Sequence, residues 1–167
     1  MKTSLLLPFF VALALLAGCS KPADTAASGN STAAAPAATT GPRTINIEAN
    51  DTMKYSVTSI EAKPGEEIKV VLTNVGVVPK EAMGHNFVLL KKGSDPLAFA
   101  TAGAAAKDTG YVPASLKDQV LAHIEQLGPK QSGEVTFTAP TEPGEYPYLC
   151  TFPGHFQVGM KGILTVK

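Results

Sequence analysis

Short stretches of alternating apolar and polar residues, separated by proline–glycine turns, constrain this chain more than any other feature. The turns at residues 63–66 (KPGE) and 142–145 (EPGE) place Pro and Gly where a type II turn requires them. Such turns between short runs of β-branched and aromatic residues predict an all-β domain, built as an antiparallel sandwich or barrel. The predicted strands cover residues 44–49, 53–60, 68–74, 84–90, 133–138 and 161–166.

Residues 95–126 interrupt this pattern, and we interpret them as a partly helical flap inserted between strands. Residues 98–106 are rich in Ala, and residues 115–126 also allow a helix. Irregular structure is the alternative for both stretches. His123 lies in the second one.

Residues 1–18 have the features of a secretory signal. Lys2 provides a positive charge, and the apolar run at residues 5–16 is too short for a transmembrane helix. The run ends in Leu-Ala-Gly-Cys at residues 16–19, which resembles the bacterial lipobox. This predicts that Cys19 is lipidated as the first mature residue. The alternative is an ordinary cleaved signal followed by a free Cys.

Residues 20–43 consist mainly of Ala, Thr, Ser, Pro and Gly, and such a segment cannot bury enough apolar surface to offset its ordering entropy. With Cys19 it predicts a lipid-anchored linker over residues 19–43, with an r.m.s. reach of roughly 25–30 Å. Residues 44–167 are long enough for one domain with one core. We therefore expect a membrane-anchored protein of the bacterial periplasm or cell envelope.

The formal net charge is zero, and the sequence has no basic patch that would indicate nucleic-acid binding. Of the two Cys residues, the predicted lipid attachment uses one. Cys150 would then be the remaining thiol in an oxidising compartment, which excludes a disulfide within the domain. A buried, inert thiol is the simple alternative. The nearby His155 and Met160 favour a metal ligand instead.

Thiolate, imidazole and thioether are the donors of a blue-copper site, which uses two His, one Cys and a long axial Met. Residues 150–160 (CTFPGHFQVGM) supply all of these except the second His. His85 and His123 are the candidates for that ligand. We favour His85, because it begins a predicted strand, and strand ends at one pole of a sandwich can meet the Cys150 loop. His123 would then be an ordinary surface or partly buried residue.

Zinc is the alternative metal, since Zn²⁺ accepts Cys and His in tetrahedral sites. Structural zinc sites rarely use Met, whereas type 1 copper sites use a weak axial Met. We therefore expect one copper ion in surroundings that exclude water. A site without an open position for substrate favours an electron carrier over an enzyme. The expected apolar residues around the metal are Phe87, Phe152, Phe156 and Val158.

Residues 44–167 resemble the cupredoxins, most closely the azurins and auracyanins. The resemblance rests on residues 83–89 (MGHNFVL) around the first His, residues 150–155 (CTFPGH) of the ligand loop, and residues 161–166 (KGILTV) of the closing strand. Residues 120–123 (VLAH) resemble a stretch of the azurins in which the His is not a ligand.

The resemblance implies an eight-stranded Greek-key sandwich with one type 1 copper. His85, Cys150 and His155 would be the equatorial ligands and Met160 the axial one. The Gly84 carbonyl would make a weak contact on the opposite axial side. Four residues separate His155 from Met160, one more than in the azurins and closer to auracyanins and plastocyanins, so the axial geometry is where a difference is expected.

The resemblance also implies how the site would work. Asn86 would hydrogen-bond close to the ligand loop, and Phe152 would lie beside the ligands. One electron at a time would pass between Cu(II)/Cu(I) and periplasmic or membrane-bound partners, namely cytochromes, oxidases or reductases. The route would be an apolar patch around His155.

Two other classes of protein remain open at this point. A copper storage, delivery or resistance protein is one, although such proteins usually have exposed Met- and Cys-rich sites. A domain of a multicopper oxidase or nitrite reductase is the other. That class needs further His ligands, and only His123 is left over among the three His residues.

Overall fold

A computed structural model describes residues 41–167, which form two packed β-sheets and two short α-helices. The predicted signal (residues 1–18), the predicted lipidation site Cys19 and nearly all of the predicted linker lie outside the described residues. Within residues 41–167, no helix is long and apolar enough to span a membrane. The strands are β1 (Arg43–Asn50), β2 (Lys54–Tyr55), β3 (Ser59–Ala62), β4 (Glu67–Asn74), β5 (His85–Leu90), β6 (Val120–Leu127), β7 (Ser132–Thr138), β8 (Gly144–Leu149) and β9 (Lys161–Val166), and the α-helices are α1 (Lys80–Met83) and α2 (Pro96–Ala104).

The first sheet has the strand order β2-β1-β4-β7 and the second the order β3-β9-β8-β5-β6. Most neighbours are antiparallel, but β1 pairs in parallel with β4, and β3 pairs in parallel with β9. Parallel neighbours cannot be joined by a tight hairpin and need a longer connection. The chain makes such connections by crossing from one sheet to the other, first between β2 and β3. The prediction of an all-β Greek-key sandwich with a partly helical flap is confirmed, with nine strands where about eight were expected.

Side-chain alternation places one face of each sheet in a shared core. In β4, Ile68, Val70 and Leu72 are fully buried, while Lys69 and Val71 between them are half-buried. This is the period-two pattern expected of a strand with one face in the core.

Strand β5 is different, because all six of its residues are buried. Its outer face is covered by the flap. On that face, Val88 and Leu90 of β5 form a second apolar cluster with Phe99 and Ala100 of α2. A strand buried on both faces is rigidly placed, and β5 begins with His85.

Of the two alternatives for the Ala-rich residues 98–106, helix is found over most of the stretch: α2 covers Pro96–Ala104, and its start is defined by a cap. The Asp95 carboxylate accepts hydrogen bonds from the backbone N–H groups of Leu97 (2.9 Å) and Ala98 (3.1 Å). Pro96 occupies the first helical turn, where its missing N–H costs nothing.

The prediction that residues 115–126 could form a helix is wrong for most of this stretch. A 3₁₀-helix covers Ala114–Gln119, and Val120–Leu127 is the strand β6. Ala122 and Ile124 point into the core with period two. The flap therefore ends before β6, which is an edge strand of the sandwich.

The predicted strand at residues 53–60 is interrupted. Lys54–Tyr55 pairs with β1 in the first sheet, whereas Ser59–Ala62 pairs with β9 in the second. Met53 has a positive φ of 57°, in the tight turn between β1 and β2. Alternation of apolar and polar residues indicates which side chains are buried, but not which sheet a strand joins. The change of sheet between residues 55 and 59 therefore could not be predicted from the sequence pattern.

The two ends of the sandwich have different contents. We call one of them the ligand end. There β1 ends at Asn50, β5 begins at His85 and β8 ends at Leu149. We call the opposite one the far end, and it contains the start of β1 at Arg43 and the turn between β3 and β4. The described chain enters the sandwich at the far end.

Candidate metal centre

Three predicted ligands converge at the ligand end. One ring nitrogen each of His85 and His155 and the Cys150 sulfur all lie within 4.8 Å of one another. The three residues are almost fully buried, with exposures of 0%, 2% and 0% for His85, His155 and Cys150. His85 begins β5, Cys150 follows the last residue of β8, and His155 lies in the loop before β9. The ends of two strands therefore place His85 and Cys150, and the loop between β8 and β9 places His155.

The ligand loop (residues 150–160) folds as one helical turn with a defined end. The Val158 N–H donates to the Gly154 carbonyl at 3.3 Å, as in an α-helix. The Gly159 N–H then donates to the Phe156 carbonyl (2.9 Å), and the Met160 N–H to the His155 carbonyl (3.0 Å). With Gly159 at φ +96°, this is a Schellman motif.

The Schellman motif explains the spacing of the two loop donors. It brings the residue after the left-handed Gly against the residue three before the helix end, and here these are Met160 and His155. Met160 is fully buried, and its carbonyl accepts from the Cys150 N–H at 3.1 Å. Four intervening residues are thus what one helical turn with this C-terminal cap requires.

Burial sets the protonation of the donors in the metal-free chain. It lowers the pKa of His155 to about 4, with the neighbouring His85 contributing. It also lowers the pKa of His85, although the Asp51 charge opposes this shift. Both imidazoles are therefore neutral at pH 7 and keep a lone pair for a metal.

The thiol behaves differently. Burial raises the pKa of Cys150 to about 12, against the backbone N–H groups of Asn86 and Phe152, which favour the thiolate. A metal ion must displace this proton to gain the sulfur ligand, so binding at this site releases a proton.

The donors fit a copper ion. Within the part of the chain that the structure describes, neither ring nitrogen of the buried His85 has a hydrogen-bond partner. A buried polar atom without a partner costs about 1–3 kcal/mol, and coordination would satisfy it. Two imidazoles and a thiolate, with a buried Met in the same loop, are the donor set of a type 1 copper site.

Asn86 connects the two ligand-bearing segments. The resemblance implied that it would hydrogen-bond close to the ligand loop. Its Nδ2 donates to the Thr151 hydroxyl (2.7 Å), and its Oδ1 accepts from the Thr151 N–H (2.9 Å). Nδ2 also reaches the Gly110 carbonyl at 3.4 Å. One buried amide thus joins β5, the ligand loop and the flap.

Aromatic rings surround the His155 side of the site. The Phe152 ring centroid lies 4.7 Å from that of His155 and 5.2 Å from that of Tyr111. The His85 and His155 rings are 4.9 Å apart. Phe156 is buried too, whereas Val158 is 45% exposed. Apolar surroundings are present, but Val158 faces largely outward.

Gly84 precedes His85 in extended backbone, with φ −69° and ψ 148°. A Cβ at this position would collide with the Lys80 carbonyl and with the side chain of Gln126. Close packing, rather than an unusual φ, therefore requires glycine here. Gln126 is buried, and its amide has no hydrogen-bond partner among the described residues.

His123 lies outside the cluster. It is on β6, opposite Val88 of β5, and its Nε2 is 3.1 Å from an Oε1 of Glu125. Its side chain is 39% exposed. The structure thus brings His85, and not His123, to the Cys150 loop.

Several contacts at the site gave no signal in the sequence. The Tyr55 hydroxyl donates to the Asn86 carbonyl, and the Lys54 ammonium donates to the Val158 carbonyl. Both donors come from β2, a strand of only two residues. Thr151 could have been suspected, because it directly follows Cys150 and has a side chain that can pair with an amide.

Comparisons with known proteins agree with this geometry. A family model described as copper binding proteins of the plastocyanin/azurin family matches residues 43–167. Azurin from Alcaligenes faecalis is 39% identical over 124 residues, covering 72% of this chain and 94% of that protein. Auracyanin-B from Chloroflexus aurantiacus is 35% identical over 126 residues, covering 74% and 52%. The solved structure of auracyanin A from Chloroflexus aurantiacus, described as a "blue" copper protein, has a TM-score of 0.66 and 33% identity over 76% of this chain and 100% of that one.

Proposed function

The chain belongs to the plastocyanin/azurin family of copper-binding proteins, and from this premise we propose that His85, Cys150, His155 and Met160 bind its one copper ion. The first three would be the strong ligands and Met160 the weak axial one. The observation that supports this assignment most directly is the convergence of three buried donor atoms within 4.8 Å. The protein is a one-electron carrier and not an enzyme.

The chain's own residues make the site suitable for electron transfer. Bound copper supplies the Cu(II)/Cu(I) couple. Asn86 and Thr151 fix the two ligand segments relative to each other through two hydrogen bonds. The buried ligands exclude water, and a preset geometry leaves little to reorganise when the charge changes.

The Gly84 carbonyl is proposed as a second, weak axial contact. Support comes from its place directly before His85 and from the tight packing of Gly84 against Lys80 and Gln126. Asn86 and Phe152 are proposed to support the ligands without touching the metal. The hydrogen bonds of Asn86 and the ring contact between Phe152 and His155 favour these roles.

Electrons would enter and leave at the ligand end, near His155. Exposed apolar side chains occur there: Val158 is 45% exposed, and Val77, in the loop after β4, is 71% exposed. An apolar surface suits brief contacts with redox proteins, and we propose cytochromes, oxidases or reductases as the partners. His155 itself is 2% exposed, so the partner would dock over its ring edge and not against an open imidazole.

We further propose that Cys19 is lipidated and anchors the protein in the periplasm or cell envelope. The folded domain begins at Arg43, at the far end of the sandwich. An anchor attached there leaves the ligand end free for partners. Incorporation of labelled palmitate into the expressed chain tests this. Cys19→Ser should abolish the label, and Cys150→Ser should retain it; an unlabelled wild type would contradict the anchor.

Copper titration of the metal-free chain tests the assigned function. One equivalent should produce an intense visible absorption from thiolate-to-copper charge transfer and a Cu(II) EPR signal. Voltammetry should then show a reversible one-electron couple. Loss of the copper to a mild chelator would contradict an electron carrier and would favour copper delivery.

A further inference from the structure

The β1–β2 hairpin (residues 50–55) contains no proposed ligand, yet it contacts both ligand-bearing segments. The Tyr55 hydroxyl donates to the carbonyl of Asn86, next to His85. The Lys54 ammonium donates to the carbonyl of Val158, two residues before Met160. The hairpin thus spans the two parts of the chain that the metal site must hold together.

Lys54 contacts the ligand loop at the end of its helical turn. The last carbonyls of a helical turn have no partner within the helix. In this loop, the His155 and Phe156 carbonyls accept from Met160 and Gly159. The Val158 carbonyl instead accepts from Lys54. A lysine is favourable there, because its charge complements the negative end of the helical turn.

The contact also includes the residue that sets the loop's conformation. A Cβ at Gly159 would lie 3.0 Å from the Lys54 Nζ, so the ammonium rests directly over this left-handed position. Gly159 at φ +96° turns the chain so that Met160 enters the core. Movement of the Val158 carbonyl would therefore be transmitted to Met160.

We propose that Lys54 is a positioning residue of the metal site. By capping the Val158 carbonyl it fixes residues 158–160 and, through them, the axial donor Met160. The inference rests on the proposed function, because it takes Met160 as a ligand. A lysine on a strand that supplies no ligand thereby adjusts the copper geometry from outside the site.

Lys130 provides a matched control. Its ammonium donates to the Val75 carbonyl at 2.7 Å, also in a loop at the ligand end, but that loop supplies no proposed ligand. Lys54→Met and Lys130→Met each remove one charge and one lysine-to-carbonyl bond. Only the first removes it from the ligand loop. Lys54→Arg keeps a charged donor and serves as the rescue variant.

The experiment uses the full chain loaded with copper. Amide hydrogen exchange at Gly159 and Met160 is measured in the reduced form, and the Cu(II) EPR spectrum in the oxidised form. Loss of a hydrogen bond of ordinary net strength should speed exchange at these amides about fivefold in Lys54→Met. The EPR parameters should shift in the same variant. Lys54→Arg should restore both, and Lys130→Met should change neither.

Equal behaviour of Lys54→Met and Lys130→Met in both measurements would overturn the inference. If Lys54→Met does not fold, Lys54→Ala, which also removes the donor to the Val158 carbonyl, takes its place with the same expectations. A wild-type chain that gives no Cu(II) EPR signal of a thiolate site would refute the proposed function itself. Copper binding by the wild type, with unchanged spectra and exchange in the Lys54 variants, would refute only the role of Lys54.

Discussion

The two ends of the sandwich differ in where their polar side chains lie, buried at the ligand end and exposed at the far end. At the ligand end, polar groups such as Asn86 and Thr151 are buried, and hydrogen bonds between them fix one arrangement. At the far end, charged side chains pair on the surface: Arg43 with Glu66, Lys92 with Glu142, and Lys167 with Glu61. The same fold supports a precise interior site at one end and a solvated, charged surface at the other.

The difference lies in what each contact costs when it is broken. A buried polar group that loses its partner keeps its full desolvation penalty, whereas an exposed ion pair returns its charges to water. Substitutions at the ligand end should therefore have large effects on copper and stability. Those at the far end should have small effects that depend on salt and pH.

The largest effect is expected from Cys150→Ser. A serine hydroxyl is not deprotonated at neutral pH and cannot replace the thiolate, so the intense visible absorption should disappear. The measurement is a copper titration followed by absorption spectroscopy. A variant that stayed intensely coloured would show that Cys150 is not the sulfur ligand.

The next largest effect should separate the two candidate His residues. His85→Ala removes a buried donor, and we expect copper affinity to fall by at least tenfold. His123→Ala removes an exposed side chain on β6, and copper binding should remain unchanged. Competition with a chelator of known affinity measures both. The opposite outcome would reverse the assignment of the second His.

A smaller but still large loss is expected for Asn86→Ala in the metal-free protein. It leaves the Thr151 N–H and hydroxyl without partners, which should lower the free energy of unfolding by about 2–3 kcal/mol. Urea unfolding measures it. Thr73→Ala is the control: it removes an exposed hydrogen bond to Ser132 and should cost less than about 1 kcal/mol. Equal losses would remove the proposed contrast between buried and exposed contacts.

The smallest effect should come from the far end, with Glu66→Gln. The hydrogen bond from Arg43, together with that from the Lys63 N–H, holds the pKa of Glu66 below its ordinary value. The unfolded chain therefore binds this proton first as the pH falls. The stabilisation is complete above the ordinary glutamate pKa and is lost as the pH falls through the lowered value.

Because this pair lies at the surface, it should contribute less than about 1 kcal/mol at neutral pH. Urea unfolding of wild type and Glu66→Gln at pH 7 and at acidic pH checks this, with and without added salt. The two proteins should differ slightly at pH 7 and converge in acid. A difference that grew in acid would contradict the sign of the shift.

The ligand end could be predicted largely from the sequence because its chemistry lies in residues of rare type close together in the chain. Cys150, His155 and Met160 fall in one loop, and the placement of His85 at a strand start identified the fourth candidate. The strands with one face in the core were also visible, as in β4. These features depend on local spacing and on alternation, both of which the sequence displays directly.

The remaining features depend on which segments meet in three dimensions. Residues 120–127 form a strand because they pair with β5, although their composition also allows a helix. The contact between Lys54 and Val158 joins residues 104 apart in sequence. An exposed lysine in a short strand has no pattern that would indicate it. Spacing cannot reveal such a contact, since only the packing of the two sheets creates it.

The parallel pairing of β3 with β9 has a consequence for how the protein assembles. Ser59 pairs with Ile163, so this part of the sheet closes only after nearly the whole folded chain is available. Contacts between such distant segments form late, because closing a long loop costs entropy. Met160 directly precedes β9, so the proposed axial donor reaches the copper together with the last strand. Copper added during refolding should therefore develop its final spectrum no faster than the slowest folding phase, which makes the metal an internal reporter of completed folding.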